Sequence, residues 1–238
     1  MSKPTIVIIP GAWQKPIAYE GLAKDFRNVG YQSVVVPLPT VGGTDLPLAG
    51  LADDVAAVQA ALKKEAEKGQ KAILLCHSAG GLIGSNAVAG ADNVAGIIFM
   101  SAFMIPKGKA ILDMLGGNPL PWMKIEGDRV TGVAEMLPQV AFNDLSAEAQ
   151  EKWGKEMTHT SIQLFGTPSS YEPWANGVPC AYIFLSDDNA LPYPVQQQMA
   201  AQLGPEPISV TLKSSHCAYL SIPDQVVSAV QDIESRLK

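Results

Sequence analysis

The segment Lys71-Ala-Ile-Leu-Leu-Cys-His-Ser-Ala-Gly-Gly-Leu-Ile-Gly84 carries the strongest chemical signal in this chain. A buried apolar run ends at Cys76, and a helix is expected from about Ala79. Between them lies Cys76-His77-Ser78-Ala79-Gly80, a small-x-Ser-x-Gly turn. Such a strand-to-helix corner strains the serine backbone and lifts its hydroxyl out at the tip. The residues two before and two after must be small, or they collide with the neighbouring strand and helix. Gly80 and Gly81 meet that demand; Cys76 meets it less well than glycine would. The first amides of the helix are unsatisfied, so the Ala79 N–H can hold a developing oxyanion. The chemistry is attack by Ser78 on a carbonyl carbon. The plain alternative is an ordinary loop.

A serine needs a base in hydrogen-bond reach, and the base needs an orienting acid. The chain has three histidines. His77 flanks the turn and is expected to point away from its tip, packing and hydrogen bonding below it. His159 is either a ligand contact or solvated. His216 follows an apolar run in Ser214-Ser-His-Cys-Ala-Tyr-Leu-Ser-Ile-Pro223 and is the expected base. The acid is sought where Cys180-Ala-Tyr-Ile-Phe-Leu-Ser186 runs into Asp187 and Asp188. Either carboxylate can serve, and the other can cap the following helix, with Pro192 near its start. Ser101–Pro106 contains no acidic competitor. A second oxyanion donor is expected after the first apolar run, in Pro10-Gly11-Ala12-Trp13. The Ala12 N–H is the candidate there, and Trp13 either walls the pocket or packs under it.

These groups need one rim to meet on. Continuous β-branched runs recur at Thr5–Ile9, Gln32–Val36, Ala72–Cys76, Val94–Met100, Cys180–Leu185 and Ile208–Leu212. Runs that do not alternate suit strands covered on both faces. Leu51, Val55, Val58 and Leu62 recur at helical spacing, as do Ile222, Val226, Val230, Ile233 and Leu237. Strand and helix in alternation imply right-handed crossovers and an α/β fold with a mostly parallel, doubly wound sheet. Ligand sites of such sheets form at the carboxyl ends of the strands, where Ser78 and His216 both fall. From about Ile105 to Trp174 no convincing strand is visible; a helix is expected over Ser146–Met157. This stretch reads as an inserted, mainly helical cap, or else as a second small domain with its own core. The expected organisation is core over 1–104, cap over 105–174 and core again over 175–238. Trp13, Trp122, Phe142 and His159 are the candidate substrate contacts, and apolar or aromatic side chains in the cap suit an apolar substrate group.

Composition narrows the partners. At 47% hydrophobic residues the chain can bury a core, which excludes a disordered tail. Seventeen basic against 23 acidic residues leave a charge of −6, the wrong sign for nucleic acid. Cys76, Cys180 and Cys217 match neither a disulfide framework nor a zinc site and read as reduced thiols. No stretch reaches the length of a membrane span and no export signal is seen, so a cytoplasmic location without membrane association is the expectation. No cofactor or metal is implied. Oligomeric state is open, a homodimer included.

The motifs Ile9-Pro-Gly-Ala12, Cys76-His-Ser-Ala-Gly-Gly81, Ser186-Asp-Asp-Asn-Ala-Leu-Pro192 and Ser215-His-Cys-Ala-Tyr-Leu220 together resemble the α/β-hydrolase superfamily over nearly the whole chain. More narrowly, they are similar to the cap-bearing branch of plant methylesterases and hydroxynitrile lyases with its fungal and bacterial relatives. That resemblance implies the α/β-hydrolase fold and the chain order Ser, Asp, His. In that branch the acid is third in Thr-x-Asp-x-x-Ile/Leu-Pro, which selects Asp188 over Asp187. The family usually has histidine where Pro10 stands, so a hydrogen bond bracing the oxyanion loop is expected to be lost. The lyases of the branch place lysine after the catalytic histidine and threonine after the first glycine. Cys217 and Ala12 stand there instead, so no cation is positioned to hold a leaving cyanide. The resemblance therefore implies a serine hydrolase acting on a small-molecule ester or lactone. A receptor-like protein with slow or no turnover and a C–C lyase are the alternatives.

Overall fold

The computed structural model describes residues 3–237. The chain runs through β1 (Thr5–Ile9), α1 (Glu20–Asn28), β2 (Ser33–Val35), α2 (Leu51–Glu67), β3 (Ala72–His77), α3 (Gly80–Ala87) and β4 (Val94–Met100). A long excursion follows: α4 (Ile111–Met114), β5 (Met123–Glu126), β6 (Arg129–Gly132), α5 (Leu137–Val140), α6 (Ala147–Glu156), β7 (Thr160–Ser161) and α7 (Ile162–Gly166). The chain returns through β8 (Cys180–Leu185), α8 (Tyr193–Ala200), β9 (Ser209–Leu212), α9 (Ala218–Ser221) and α10 (Pro223–Arg236).

Among the described residues, six strands form one sheet in the order β2-β1-β3-β4-β8-β9, every neighbouring pair parallel. Successive residues of a strand point to opposite faces, and both faces are covered, which is why the runs are apolar throughout. Ile6, Ile8, Ile73, Leu75, Ile98 and Ile183 pack with Phe26 of α1 and Val226 and Ile233 of α10. Val7, Ile9, Leu74, Phe99 and Tyr182 pack with Val58 and Leu62 of α2, Leu82 of α3 and Met199 of α8. The strand order reverses at β1, which has β2 on one side and β3 on the other, so the loops after β1 and β3 open side by side at the carboxyl rim.

Between β4 and β8, residues 101–179 form the excursion that includes the cap. Contrary to the strandless reading of that stretch, it holds a three-stranded antiparallel sheet, β5-β6-β7. Its strands span four, four and two residues, too few for a periodic pattern to stand out. The overlooked signal was Gly127-Asp128, a two-residue hairpin loop closing the Glu126–Arg129 pair, with Gly127 at φ +59°. The cap helix α6 starts where Ser146 caps it by accepting the Ala149 N–H (3.3 Å). Buried cap side chains share the clusters of the sheet faces: Ile111, Met123, Val130 and Phe165 on one side, Leu137 and Phe142 on the other. Among the described residues, no helix is long and apolar enough to cross a membrane.

Candidate active site

Ser78 sits between β3 and α3 at φ +52°, a left-handed conformation costly for a non-glycine residue. Close packing around the turn holds it there. A Cβ on Gly80 would lie 2.5 Å from the Ile9 carbonyl oxygen and 2.6 Å from that of Pro10. The Ser78 carbonyl accepts N–H bonds from Gly81 (3.0 Å) and Phe103 (2.9 Å), which ties the turn to the end of β4. Cys76 fits despite its side chain because Gly84, one turn into α3, leaves its Sγ the space. A Cβ at Gly84 would lie well inside 3.0 Å of that sulfur.

His216 enters from the loop after β9 and is nearly buried. Its Nδ1 lies 2.6 Å from Asp188 Oδ2. Asp188, beyond the end of β8, is buried and fully hydrogen-bonded. Oδ1 accepts the N–H groups of Ala190 (2.7 Å) and Leu191 (2.9 Å), and Oδ2 accepts the Ser101 hydroxyl (2.5 Å) as well as His216. A carboxylate with four donors aimed at it is an acceptor, so a proton resides on Nδ1, and the neutral form of the ring has its lone pair on Nε2. Ser101 is a contributor the sequence reading missed. It follows β4 at the same rim and holds φ +39°; a small polar residue at that strand end was the available sign. Asp187 instead turns outward, with its carbonyl on Asn143 Nδ2 (3.0 Å).

Ser78 and His216 line one narrow cavity. Among the described residues, neither Ser78 Oγ nor His216 Nε2 is hydrogen-bonded to another group. A serine–imidazole bond is often long at rest and tightens with substrate. The N–H groups of Ala12 and Ala79, both at this cavity, are likewise unused among the described residues. The neighbours of Ala12 are committed elsewhere: Gly11 N–H to Tyr19 Oη (3.0 Å) and Trp13 N–H to Thr160 Oγ1 (2.7 Å). Thr158 N–H adds a bond to the Trp13 carbonyl (2.9 Å). The bracing bond expected to vanish with Pro10 is thus replaced by Tyr19 and by the cap.

His77 points below the turn, as expected of a residue flanking its tip. Its Nε2 lies 2.9 Å from the His216 carbonyl oxygen and its Nδ1 2.8 Å from Tyr19 Oη. Burial, with His216 beside it, pushes its pKa far down, so the ring is neutral. A carbonyl only accepts, so Nε2 carries the proton and Nδ1 is an acceptor, sharing the Tyr19 hydroxyl with Gln14 Oε1 (2.8 Å).

Of the candidate substrate contacts, Trp13 and Trp122 line the cavity, together with Phe103, Met123, Phe165 and Leu191. The two tryptophans meet edge to face at 5.1 Å, and Trp13 stacks on Phe165 at 5.5 Å. The structure does not bring Phe142 or His159 to this cavity. Phe142 is buried on the other face of the sheet, and His159 spends Nε2 on the Gly43 carbonyl (2.8 Å). An aromatic or histidine in an aperiodic cap carries no sign of which way it faces. His216 is the one ionisable side chain among the lining residues.

A parallel sheet with a strained serine at its topological switch, beside a carboxylate-bound histidine, defines a class. The model of the alpha/beta hydrolase family matches residues 6–229, and the chain belongs to that family. Its similarity extends to an alpha/beta hydrolase, nvfD, of Aspergillus novofumigatus, 28% identical over 98% of this chain and 97% of that one. A pyrethroid hydrolase of Sphingobium wenxiniae is 30% identical over 68% of this chain and 63% of its own. The crystal structure of a pyrethroid hydrolase from Sphingobium faniae superposes with a TM-score of 0.83 at 26% identity, covering 98% of this chain and 97% of that one. With this membership and these named hydrolases, the chain is an enzyme of the carboxylic ester hydrolase kind.

Proposed function

We propose that the protein cleaves a small, apolar or aromatic carboxylic ester or lactone through an acyl-enzyme on Ser78, with residues 105–174 as the cap over the reaction. Ser78 Oγ attacks the carbonyl carbon while His216 Nε2 takes its proton. Asp188 holds the imidazole in the productive tautomer and stabilises the imidazolium. The N–H groups of Ala12 and Ala79 receive the tetrahedral oxyanion. His216 then protonates the departing alkoxide. A water, deprotonated by the same nitrogen, splits the acyl-enzyme and restores Ser78. In a lactone the leaving alkoxide stays tethered, and the product is one hydroxy acid.

The observation that carries this reading is the Asp188 carboxylate, whose four donors leave His216 Nε2 free at the cavity that Ser78 enters. The walls favour an uncharged, compact group, and no lysine or arginine lines them to hold cyanide, which speaks against the lyase. Pyrethroids are hydrophobic esters, so the relatives make them the first substrates to try, beside p-nitrophenyl esters and simple lactones. Treatment with an organophosphonate should add one phosphonyl mass at Ser78. Ser78→Ala should lose the adduct and about four or more decades of turnover. An unmodified wild type that binds a small molecule tightly would favour the receptor; aldehyde release from a cyanohydrin would favour the lyase. Near-full esterase activity in Ser78→Ala would end the proposal.

A further inference from the structure

One seven-residue stretch of the cap, Gln139–Leu145, touches the chain beside both partners of the candidate serine. Asn143 Nδ2 donates to the carbonyl of Asp187, the residue before Asp188 (3.0 Å). The Gln139 carbonyl accepts from Asn189 Nδ2, the residue after it (2.8 Å). Asp144 reaches the other loop. Its Oδ2 accepts the Ser215 N–H (2.9 Å) and the Ser214 hydroxyl (2.9 Å), and its Oδ1 the Ser215 hydroxyl (2.5 Å). Ser215 and Ser214 are the two residues before His216, and both are buried. The Asp187 N–H closes the ring on the Ser214 carbonyl (3.1 Å).

We propose that Asn143 and Asp144 are positioning residues: the cap grips the backbone next to Asp188 and next to His216 in one bracket and sets the distance between carboxylate and imidazole. The two loops reach the rim from neighbouring strands, β8 and β9. Directly between them run the His216–Asp188 bond and the Asp187 N–H bond to the Ser214 carbonyl. Asp144 adds three hydrogen bonds to a charged acceptor, the stronger kind. Partial burial pushes the Asp144 carboxyl up, and the bonds from Ser215, Ser221 and Ser214 outweigh this and keep it below the usual carboxylate range. Asn143 leaves its Oδ1 buried and unpaired among the described residues, so its one bond to Asp187 is what fixes the amide. The consequence is a coupling: motion of this part of the cap disturbs the acid–base pair without touching substrate.

The inference rests on the proposed roles of Asp188 and His216, and its test has a readout independent of turnover. The His216 Nδ1 proton, held against a carboxylate, should give a low-field proton resonance that His216→Ala removes. In Asn143→Ala and Asp144→Ala that resonance should broaden or exchange with water at least tenfold faster. On an ester substrate, kcat should fall tenfold or more with KM within twofold. Ser146→Ala, which uncaps α6 beside the bracket, supplies a comparable thermal destabilisation and should leave both readouts as in wild type. Should Asp144→Ala fail to fold, Asn143→Ala removes one hydrogen bond and an unpaired buried oxygen, so it should fold and carries the test. An unchanged resonance and kcat in folded bracket variants overturn the bracket. A wild type that turns over no ester, with the resonance responding as stated, overturns the hydrolase mechanism and leaves the bracket standing.

Discussion

Gly84 and Cys76 should behave as a coupled pair, because the bend that presents Ser78 depends on their fit. In Gly84→Ala the new Cβ falls well inside 3.0 Å of Cys76 Sγ and 3.1 Å from Ile9 Cδ1. The isoleucine tip can yield by a few tenths of an ångström. The sulfur sits one bond from a fully buried β3 position and has little room to move. Overpacking of this kind costs about 1–3 kcal/mol, against a helix-propensity gain for alanine of about 1 kcal/mol. Gly84→Ala should therefore lose up to about 2 kcal/mol, which for a chain of this size is at most about 8 °C in Tm. Cys76→Ala alone should lose about 1 kcal/mol from lost burial. The double variant removes the clash and keeps the propensity gain, so it should return close to wild type, a coupling of about 1–3 kcal/mol equal to the cost of the clash. Denaturant titration of the four proteins measures this. Esterase activity should follow, low in Gly84→Ala and recovered in the pair, since α3 carries the turn at Ser78. Additivity within about 0.5 kcal/mol, or a Gly84→Ala protein more stable than wild type, would refute the packing account.

His77→Phe keeps a ring of similar size but strands the His216 carbonyl, while Tyr19 keeps Gly11 and Gln14; stability should fall by about 1–3 kcal/mol and kcat by about tenfold, checked by denaturation and steady-state kinetics. Ser101→Ala removes a buried charge-assisted bond to Asp188 and should cost about 2 kcal/mol, with a smaller loss of kcat than Asp188→Ala. Asp54 is buried against the Thr40 amide and hydroxyl, and burial raises its pKa to about 6, the Thr40 bonds opposing and Asp53 adding to the rise. The folded state holds that proton more tightly than the unfolded chain, so its contribution is full below the unfolded value near 4 and is lost as pH rises through about 6. Relative to Asp54→Asn, the wild type should lose about 1 kcal/mol between pH 5 and pH 7, seen as converging or crossing Tm curves; parallel curves would remove Asp54 from the account.

What could be read from the chain is what short-range pattern encodes. β1, β4 and β8 have the residue bounds of their apolar runs, because a strand covered on both faces is written as a continuous block. Ser78, Asp188 and His216 were findable because each lies within four residues of the end of such a block, at the rim where a parallel sheet opens. The cap was not legible in the same way. Its strands are too short to show a period, and its side chains answer to partners far along the chain. Ser101 meets Asp188 across 87 positions, and Ser215 meets Asp144 across 71. Ser101 has only its place at a strand end to mark it, and nothing local distinguishes Ser215 and Asp144 from solvated residues. The same blindness made Phe142 and His159 look like pocket residues, since an aromatic packed behind the sheet and one facing substrate have the same sequence.

The loop after β1 shows how a missing residue can be replaced by chemistry that no motif records. Proline at position 10 removes the side chain that would brace the oxyanion loop in the family's usual pattern. Here Tyr19, from the turn before α1, accepts the Gly11 N–H instead. Its single proton is shared between His77 Nδ1 and Gln14 Oε1, each 2.8 Å away, while His77 Nε2–H is committed to the His216 carbonyl. Three hydrogen bonds in series thus join the backbone of the oxyanion loop to the backbone of the candidate base, passing under Ser78 through two buried rings. A protonated His77 would turn its Tyr19 bond round, donating Nδ1–H to the hydroxyl oxygen and leaving the Tyr19 proton to Gln14, but burial beside His216 opposes that charge. The residue beside Ser78, of no use as its base, is therefore the link that keeps the two sides of the cavity in register.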